Sequence, residues 1–237
     1  MRVVTNEALV RKRVRLAAVL HLTALVIFAG GLFFSLQPTL SEQAFLISYG
    51  TIVIGLVLYN FAQLILRRYG PRHRFDRVLE RLLRGLDARF TLYNFLSPQL
   101  PDYLLVGPSG VLALVPRSQG GAITCERDRW SAPRGRLGFL SALFGGGLGN
   151  PSQDASRALA ALHDQFRRRR PAGLTAEDLA AQALIVFTSE GTKLQLNGCS
   201  FPATTARELR NVVRRQRDKL APEQVERLKA AFVELRA

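Results

Sequence analysis

The sequence PDYLLVGPSGVLALVPRSQGG, residues 101–121, decides the fold of the chain. Residues 101–106 are a short and nearly continuous apolar run, which is typical of a strand buried on both faces. The turn sequence GPSG follows at 107–110, where glycine allows positive φ and proline fixes φ. Residues 111–115 form a second apolar run. We therefore predict the first two strands of a β-meander, with Asp102 at the start of the first.

Further elements follow these two strands in a defined order. They are the glycine pair Gly120-Gly121, a third predicted strand at 122–125, Trp130, the sequence NPSQ at 150–153 and the apolar strand ALIVFT at 183–188. Over roughly residues 72–213, these elements resemble the NERD (nuclease-related domain) family. The resemblance implies a restriction-endonuclease-like α/β domain, in which helices flank a central mixed β-sheet.

The chain departs from the family pattern at the end of the second strand. The family has Glu-x-Lys there, whereas this chain has Val115-Pro116-Arg117. The Glu would join the Asp in holding a divalent metal, which needs several oxygen ligands, and valine supplies none. The Lys would stabilise developing charge or position the attacking water, but arginine is a poor general base because it is always protonated. The resemblance therefore implies a nuclease fold with a degenerate centre, which should lose most of its activity.

The same resemblance supplies the candidate site residues. Asp102, Arg117 and Gln153 are vestigial catalytic candidates, and Asp102 and Asp76 are candidate metal ligands. A structural interpretation stays open for two of them: Asp76 as a solvated helix carboxylate, and Gln153 as the third residue of a helix capped by Asn150. No cofactor is expected, except Mg²⁺ or Mn²⁺ if relocated carboxylates keep the centre active.

The chain is strongly basic, with 33 Lys and Arg residues, 18 Asp and Glu residues and a net charge of +15. Such a charge favours polyanions, either nucleic acid or anionic lipid headgroups. Two predicted helices carry the candidate phosphate contacts, which are Arg207, Arg210, Arg214, Arg217, Arg167 and Arg170. For the last two, a solvated helix end favoured by the helix dipole is the alternative.

Two long apolar segments precede the α/β region. Residues 16–36 and 44–66 contain no Lys, Arg, Asp or Glu, and each is long enough to span the ~30 Å hydrocarbon core of a bilayer as a helix. Basic clusters lie before the first segment and after the second, whereas the loop at 37–43 has no basic residue. The pattern predicts a transmembrane hairpin that acts as an anchor, with both termini and the soluble domain in the cytoplasm.

The predicted organisation is a basic arm (1–15), the hairpin (16–66), a basic linker (67–74), the NERD-like domain (75–220) and a C-terminal helix (221–237). Within the domain, the patterns predict helices at 75–86, 150–170 and 205–220, the last opened by a capping box, and a strand pair at 193–201. The apolar, Gly-rich segment 137–149 is left open as a flap, an interfacial segment or a cover for the sheet. Two isolated cysteines, Cys125 and Cys199, predict buried thiols in a reducing compartment.

Three functions agree with these features. The first is an anchored module with an inactive nuclease centre that binds nucleic acid or a protein partner at the membrane. The second is an active metal-dependent nuclease with relocated carboxylates. The third is a structural or interaction protein held to anionic lipid. A P-loop is excluded at residues 145–147, because the glycines lack the following Lys and Ser or Thr.

Overall fold

A computed structural model describes most of the chain, namely residues 1–35, 42–71, 74–132 and 147–236. The chain divides into two compact units. The helical unit is Glu7–Arg74, and the sheet unit combines Met1–Asn6 with Phe75–Ala237. Most of the predicted loop 37–43 and of the Gly-rich segment 137–149 lies outside the described residues.

The helical unit consists of α1 (Glu7–Ser35) and α2 (Glu42–Tyr69). Both are long and apolar enough to cross a membrane, judged by length and composition. Large apolar side chains cover their outer surfaces, with exposed fractions of 63% for Leu22 and 66% for Phe33. Each helix extends beyond its predicted apolar segment, and α1 begins within the region expected to be a basic arm.

The two helices approach closely at Gly31. The Ser48 hydroxyl donates a hydrogen bond to the Gly31 carbonyl at 3.2 Å, and a Cβ at Gly31 would collide with the Thr51 side chain. Small residues at a helix contact allow such an approach, which is a common packing device between helices in membranes. The predicted helical hairpin is therefore present.

The sheet unit contains a six-stranded mixed sheet. Its strands are β1 (Arg2–Thr5), β2 (Thr91–Asn94), β3 (Tyr103–Gly107), β4 (Gly110–Arg117), β7 (Gln182–Phe187) and β9 (Ala203–Thr205), and they lie in the order β1-β2-β3-β4-β7-β9. The β2–β3 and β3–β4 pairs are antiparallel, and the remaining pairs are parallel. The predicted central mixed sheet is confirmed.

The sheet unit also contains a second, smaller sheet of three strands. It comprises β5 (Ala122–Glu126), β6 (Arg129–Ser131) and β8 (Lys193–Asn197), in the order β6-β5-β8. The predicted strand pair at 193–201 is wrong, because β8 pairs with β5, whereas the next strand, β9, joins the large sheet beside β7.

Four helices accompany the large sheet in the described part of the chain. They are α3 (Asp76–Leu83), α4 (Pro151–Arg169), α5 (Leu209–Arg215) and α6 (Pro222–Glu234). Two of them, α4 and α6, bury its apolar side chains. One continuous core joins Leu104 of β3 and Ile185 of β7 to Phe166 of α4 and Phe232 of α6. Because successive side chains of a strand point to opposite faces, Tyr103 points away from the face that Leu104 occupies. The Tyr103 hydroxyl accepts a hydrogen bond from the Phe75 backbone N–H at 2.8 Å.

The β3–β4 turn forms as the sequence predicts. Gly107 and Gly110 are paired across the hairpin, which leaves a two-residue loop. Gly110 has a φ of +103°, a value that residues with a side chain rarely adopt. The turn packs against the backbone of Leu179 and Ala180. This contact fixes the hairpin against the segment that leads into β7.

The predicted helix at 205–220 is much shorter in the structure. Thr205 lies in β9, paired with Phe187, so it cannot open a helix, and α5 begins only after Glu208. Beyond α5, the backbone N–H groups of Lys219 and Leu220 both donate to the Pro108 carbonyl. Contacts with the sheet and the hairpin turn therefore override the local capping pattern.

Cys125 and Cys199 form a disulfide, with their Cα atoms 6.3 Å apart. The prediction of two buried thiols is wrong in this respect. The parallel pairing of β5 with β8 sets Cys125 opposite Leu196, so the chain reaches Cys199 shortly after β8 ends. The proximity depends on a pairing between distant segments, which the spacing of the cysteines does not reveal.

Candidate functional site

The antiparallel β3–β4 hairpin brings Asp102 and Val115 to the same end of the sheet. Leu104 pairs with Ala113, and Asp102 and Val115 each lie two residues beyond that pair. The Asp102 carbonyl accepts a hydrogen bond from the Phe95 N–H at 2.8 Å. Val115, at the position where the NERD pattern has Glu, therefore lies in the strand next to Asp102, and its side chain supplies no oxygen ligand.

Arg117, at the end of β4, forms an ion pair with Asp154 in the first turn of α4. Only 21% of the Arg117 side chain is exposed. Arg157 lies on the other side of the same carboxylate, with its Nη1 atom 3.4 Å from Oδ1 of Asp154. Asp154 is a residue that the sequence analysis missed, although an acidic residue in a first helical turn is a recognisable signal.

Gln153 lies next to Asp154, but its side chain is exposed. Its backbone N–H donates to Oδ1 of Asn150 at 3.1 Å, and Pro151 occupies the first position of the helix. The helix-capping interpretation of this sequence is therefore confirmed for the backbone. The structure gives Asn150, rather than the Gln153 side chain, the local structural role.

Asp76 is the first residue of α3 and is 7% exposed. The preceding residue, Phe75, contacts the hydroxyl of Tyr103, which follows Asp102 in β3. The first turn of α3 therefore meets the start of β3. Within the described part of the chain, however, no three Asp, Glu, His or Cys side chains form a group that could hold a metal ion.

The side chains at this end of the sheet do not fit a divalent cation. Such an ion needs several oxygen ligands, and Val115 offers none. The guanidinium of Arg117 already neutralises the Asp154 carboxylate.

Two of the sequence elements that resemble the family are joined by a hydrogen-bond network. The Trp130 indole N–H donates to the Ser152 hydroxyl at 2.8 Å, and this hydroxyl donates to Asp128 at 2.6 Å. The backbone N–H of Ser200 donates to the same carboxylate at 2.9 Å, and its hydroxyl donates to the other oxygen. The network links the β5–β6 turn, the start of α4 and the segment after β8.

Hydrogen bonds from Ser152 and Ser200 lower the pKa of the Asp128 carboxyl. A lowered pKa in the folded state stabilises the protein at pH values above the unfolded pKa, which is about 3.9. This stabilisation is lost as the pH falls through the folded pKa. We expect Asp128→Asn to lower the unfolding temperature at neutral pH and to show a smaller further loss on acidification than the wild type.

The measurement is thermal unfolding at pH values from 7 to 3, followed by the fluorescence of Trp130, the single tryptophan of the chain. Glu190→Gln is the control, because the Glu190 carboxylate has no hydrogen-bond partner among the described residues. Parallel pH profiles for the wild type and Asp128→Asn would contradict the structural role of the network.

The four arginines predicted along one helix lie in different local structures. Arg207 precedes α5 and Arg217 follows it, so only Arg210 and Arg214 share the helix. The Arg210 guanidinium donates to the Arg84 carbonyl at 3.2 Å, and the Arg214 guanidinium donates to the Gly85 carbonyl at 2.5 Å. These carbonyls end α3, so the two side chains satisfy backbone acceptors at a helix C-terminus.

These hydrogen bonds bring the arginines of α3 beside those of α5. Arg77, Arg81 and Arg84 are all exposed, and they were not among the arginines predicted to contact phosphate. We name the combined surface the α3–α5 arginine face, which consists of Arg77, Arg81, Arg84, Arg207, Arg210, Arg214, Arg215 and Arg217. None of these eight guanidinium groups has a carboxylate partner among the described residues.

The other predicted arginines lie at the C-terminal end of α4. Arg167 and Arg170 are exposed, and the Arg170 N–H donates to the Phe166 carbonyl at 3.0 Å. Arg170 itself has the left-handed conformation that often ends helices. Nearby, Arg168 pairs with Asp164 at 2.9 Å. This end is partly neutralised and distinct from the α3–α5 arginine face.

The chain matches no protein-family model, no curated protein and no solved structure. The likeness to the NERD family therefore rests on the order of its sequence elements.

Proposed function

We propose that this protein is a membrane-anchored, NERD-like binding module whose nuclease-type centre does not cleave nucleic acid. The ion pair between Arg117 and Asp154 carries this proposal. It fixes the only cationic side chain of the Val-Pro-Arg sequence to a helix, at the position where the family pattern has its Lys. Two residues earlier, the side chain of Val115 supplies no metal ligand. We therefore infer that these residues support the fold and do not cleave a substrate.

The strand pairing supports an anchor with both of its ends on one side of the bilayer. β1 precedes α1 and β2 follows α2, yet the two strands pair in parallel within one sheet. Two membrane crossings return the chain to its starting side, as this pairing requires. The basic residues that flank the helices favour the cytoplasmic side.

The ligand of the module is a phosphate-bearing polyanion. The net charge of +15 supplies long-range attraction, and the α3–α5 arginine face supplies clustered guanidinium groups. Guanidinium groups bind phosphate oxygens with paired hydrogen bonds, which suits this chemistry. The alternative ligand is a protein partner at the membrane. No feature of the described surface is specific to such a partner.

The full chain in lipid nanodiscs should leave plasmid DNA, single-stranded DNA and RNA intact in the presence of Mg²⁺ or Mn²⁺. We expect its cleavage rate to equal that of Asp102→Asn and of buffer alone. The physical reason is the missing oxygen ligand at Val115 and the fixed Arg117 side chain. Gel electrophoresis over a time course provides the measurement.

One observation favours a second function, an active nuclease with a relocated carboxylate. Asp154 brings an additional carboxylate to the end of β4, although not to the position of the family Glu. Metal-dependent cleavage that is lost in Asp102→Asn and Asp154→Asn, but kept in Arg157→Gln, would establish this function and overturn our proposal.

A further inference from the structure

We propose that the α3–α5 arginine face binds the phosphate headgroups of anionic lipids in the bilayer that holds the helical unit. This inference rests on the membrane anchoring in the proposed function and names the source of the phosphate. Nucleic acid offers the same chemical group, so the experiment below separates the two sources.

The face is arranged in advance by hydrogen bonds within the sheet unit. Arg210 and Arg214 donate to consecutive carbonyls at the end of α3, which sets the spacing between α3 and α5. Each of these guanidinium groups has further N–H donors that the carbonyls do not use. The surrounding arginines therefore lie on, or directly beside, two helices that these hydrogen bonds connect, and less entropy is lost on binding.

Among the described residues, no carboxylate forms an ion pair with the arginines of this face. Within the two segments that form the face, 77–84 and 207–217, the exposed acidic residues are Glu80 and Glu208. The same segments carry eight arginines. Other arginines of the sheet unit have carboxylate partners, as in the pairs Arg89–Asp218 and Arg168–Asp164. Unpaired, clustered guanidinium groups generate a positive potential that attracts an anionic surface.

Two observations favour lipid over nucleic acid. Neither α3 nor α5 contains an aromatic residue, so the two helices offer no side chain on which an unpaired base could stack. The connection from α2 to α3 is also short, because α2 ends at Tyr69 and α3 begins at Asp76. A short connection to helices that span a bilayer gives the tethered domain a high effective concentration toward lipid.

The test uses the full chain in two kinds of nanodisc, one of phosphatidylcholine and one that also contains phosphatidylglycerol. Arginine side chains are modified with phenylglyoxal, and mass spectrometry gives the extent at each residue. We expect modification of Arg77, Arg81 and Arg215 to fall on the order of threefold with the anionic lipid and to recover at high salt. Arg167 and Arg169 should be unaffected.

A charge-reversal variant identifies the face. Arg77→Glu, Arg81→Glu and Arg215→Glu together should abolish the lipid-dependent protection of Arg84. The control variant reverses Arg167, Arg169 and Arg170 to Glu, which changes the net charge by the same amount, and should keep that protection. Trp130 fluorescence confirms that both variants are folded.

Duplex DNA, single-stranded DNA and RNA are added to the neutral nanodiscs in a parallel arm. Protection of the face by nucleic acid, without protection by anionic lipid, would overturn the inference in favour of nucleic acid. No protection in either arm would remove the face as a phosphate site. Release of the chain from membranes by alkaline carbonate would instead contradict the membrane anchor of the proposed function. This outcome is distinct from a loss of arginine protection, so the two failures can be told apart.

Discussion

Gly110→Ala should destabilise the sheet unit by roughly 3 kcal/mol or more, because two unfavourable effects coincide at this position. Its φ of +103° is unfavourable for a residue with a side chain. An added Cβ would also lie 2.6 Å from the Ala180 carbonyl oxygen and 2.9 Å from that of Leu179. Both are backbone atoms that cannot move aside without displacing the segment before β7. Chemical denaturation followed by Trp130 fluorescence measures the loss.

Gly191→Ala provides the matched control. Gly191 also has a positive φ, +76°, but an added Cβ there would meet no atom within 4 Å. The control should therefore cost only about 1 kcal/mol, from backbone conformation alone. Equal losses in the two variants would show that the packing of the hairpin turn against residues 179–180 contributes nothing.

Loss of the Cys125–Cys199 disulfide should lower the unfolding temperature of the sheet unit by on the order of 10 °C. The two cysteines are 74 residues apart in the sequence. Closing a loop of this length restricts the unfolded chain by about 4 kcal/mol in the loop-entropy description. Thermal unfolding of the wild type with and without a reducing agent, and of Cys125→Ser, measures the change.

The variant supplies the internal control for this experiment. Reduced wild type and Cys125→Ser should unfold at similar temperatures, and the reducing agent should leave Cys125→Ser unchanged. An unaltered wild-type unfolding temperature under reducing conditions would contradict the stabilising role of the bond.

The same bond provides a check on the proposed cytoplasmic location. Cytoplasmic thiols are normally kept reduced, whereas disulfides persist in oxidising compartments. The basic flanks and the disulfide therefore favour opposite sides of the membrane. Rapid alkylation of thiols in intact cells, followed by mass spectrometry of Cys125 and Cys199, gives the redox state. A fully oxidised pair would overturn the cytoplasmic orientation.

Features fixed by neighbouring residues could be predicted from the sequence. The β3–β4 hairpin follows from two apolar runs around GPSG, and the start of α4 follows from Asn150 and Pro151 at adjacent positions. The apolar helices follow from length and composition, which depend little on the rest of the fold.

Features that depend on distant pairing could not be predicted in this way. The ion pair of Arg117 with Asp154 exists because α4 returns the chain to the end of β4, between two parallel strands. The α3–α5 arginine face likewise needs two helices that are far apart in the sequence. The capping pattern at Thr205 failed because pairing with Phe187 places this residue in a strand.

The pairing of β1 with β2 imposes an order on biosynthesis. Asn94 donates a side-chain hydrogen bond to Thr5 across 89 residues of sequence, and both apolar helices are made between them. The residues of β1 leave the ribosome before their partner strand, which is made only after α1, α2 and α3. An unpaired strand can associate with other chains. The synthesis of the two helices is therefore an interval in which β1 has no partner strand.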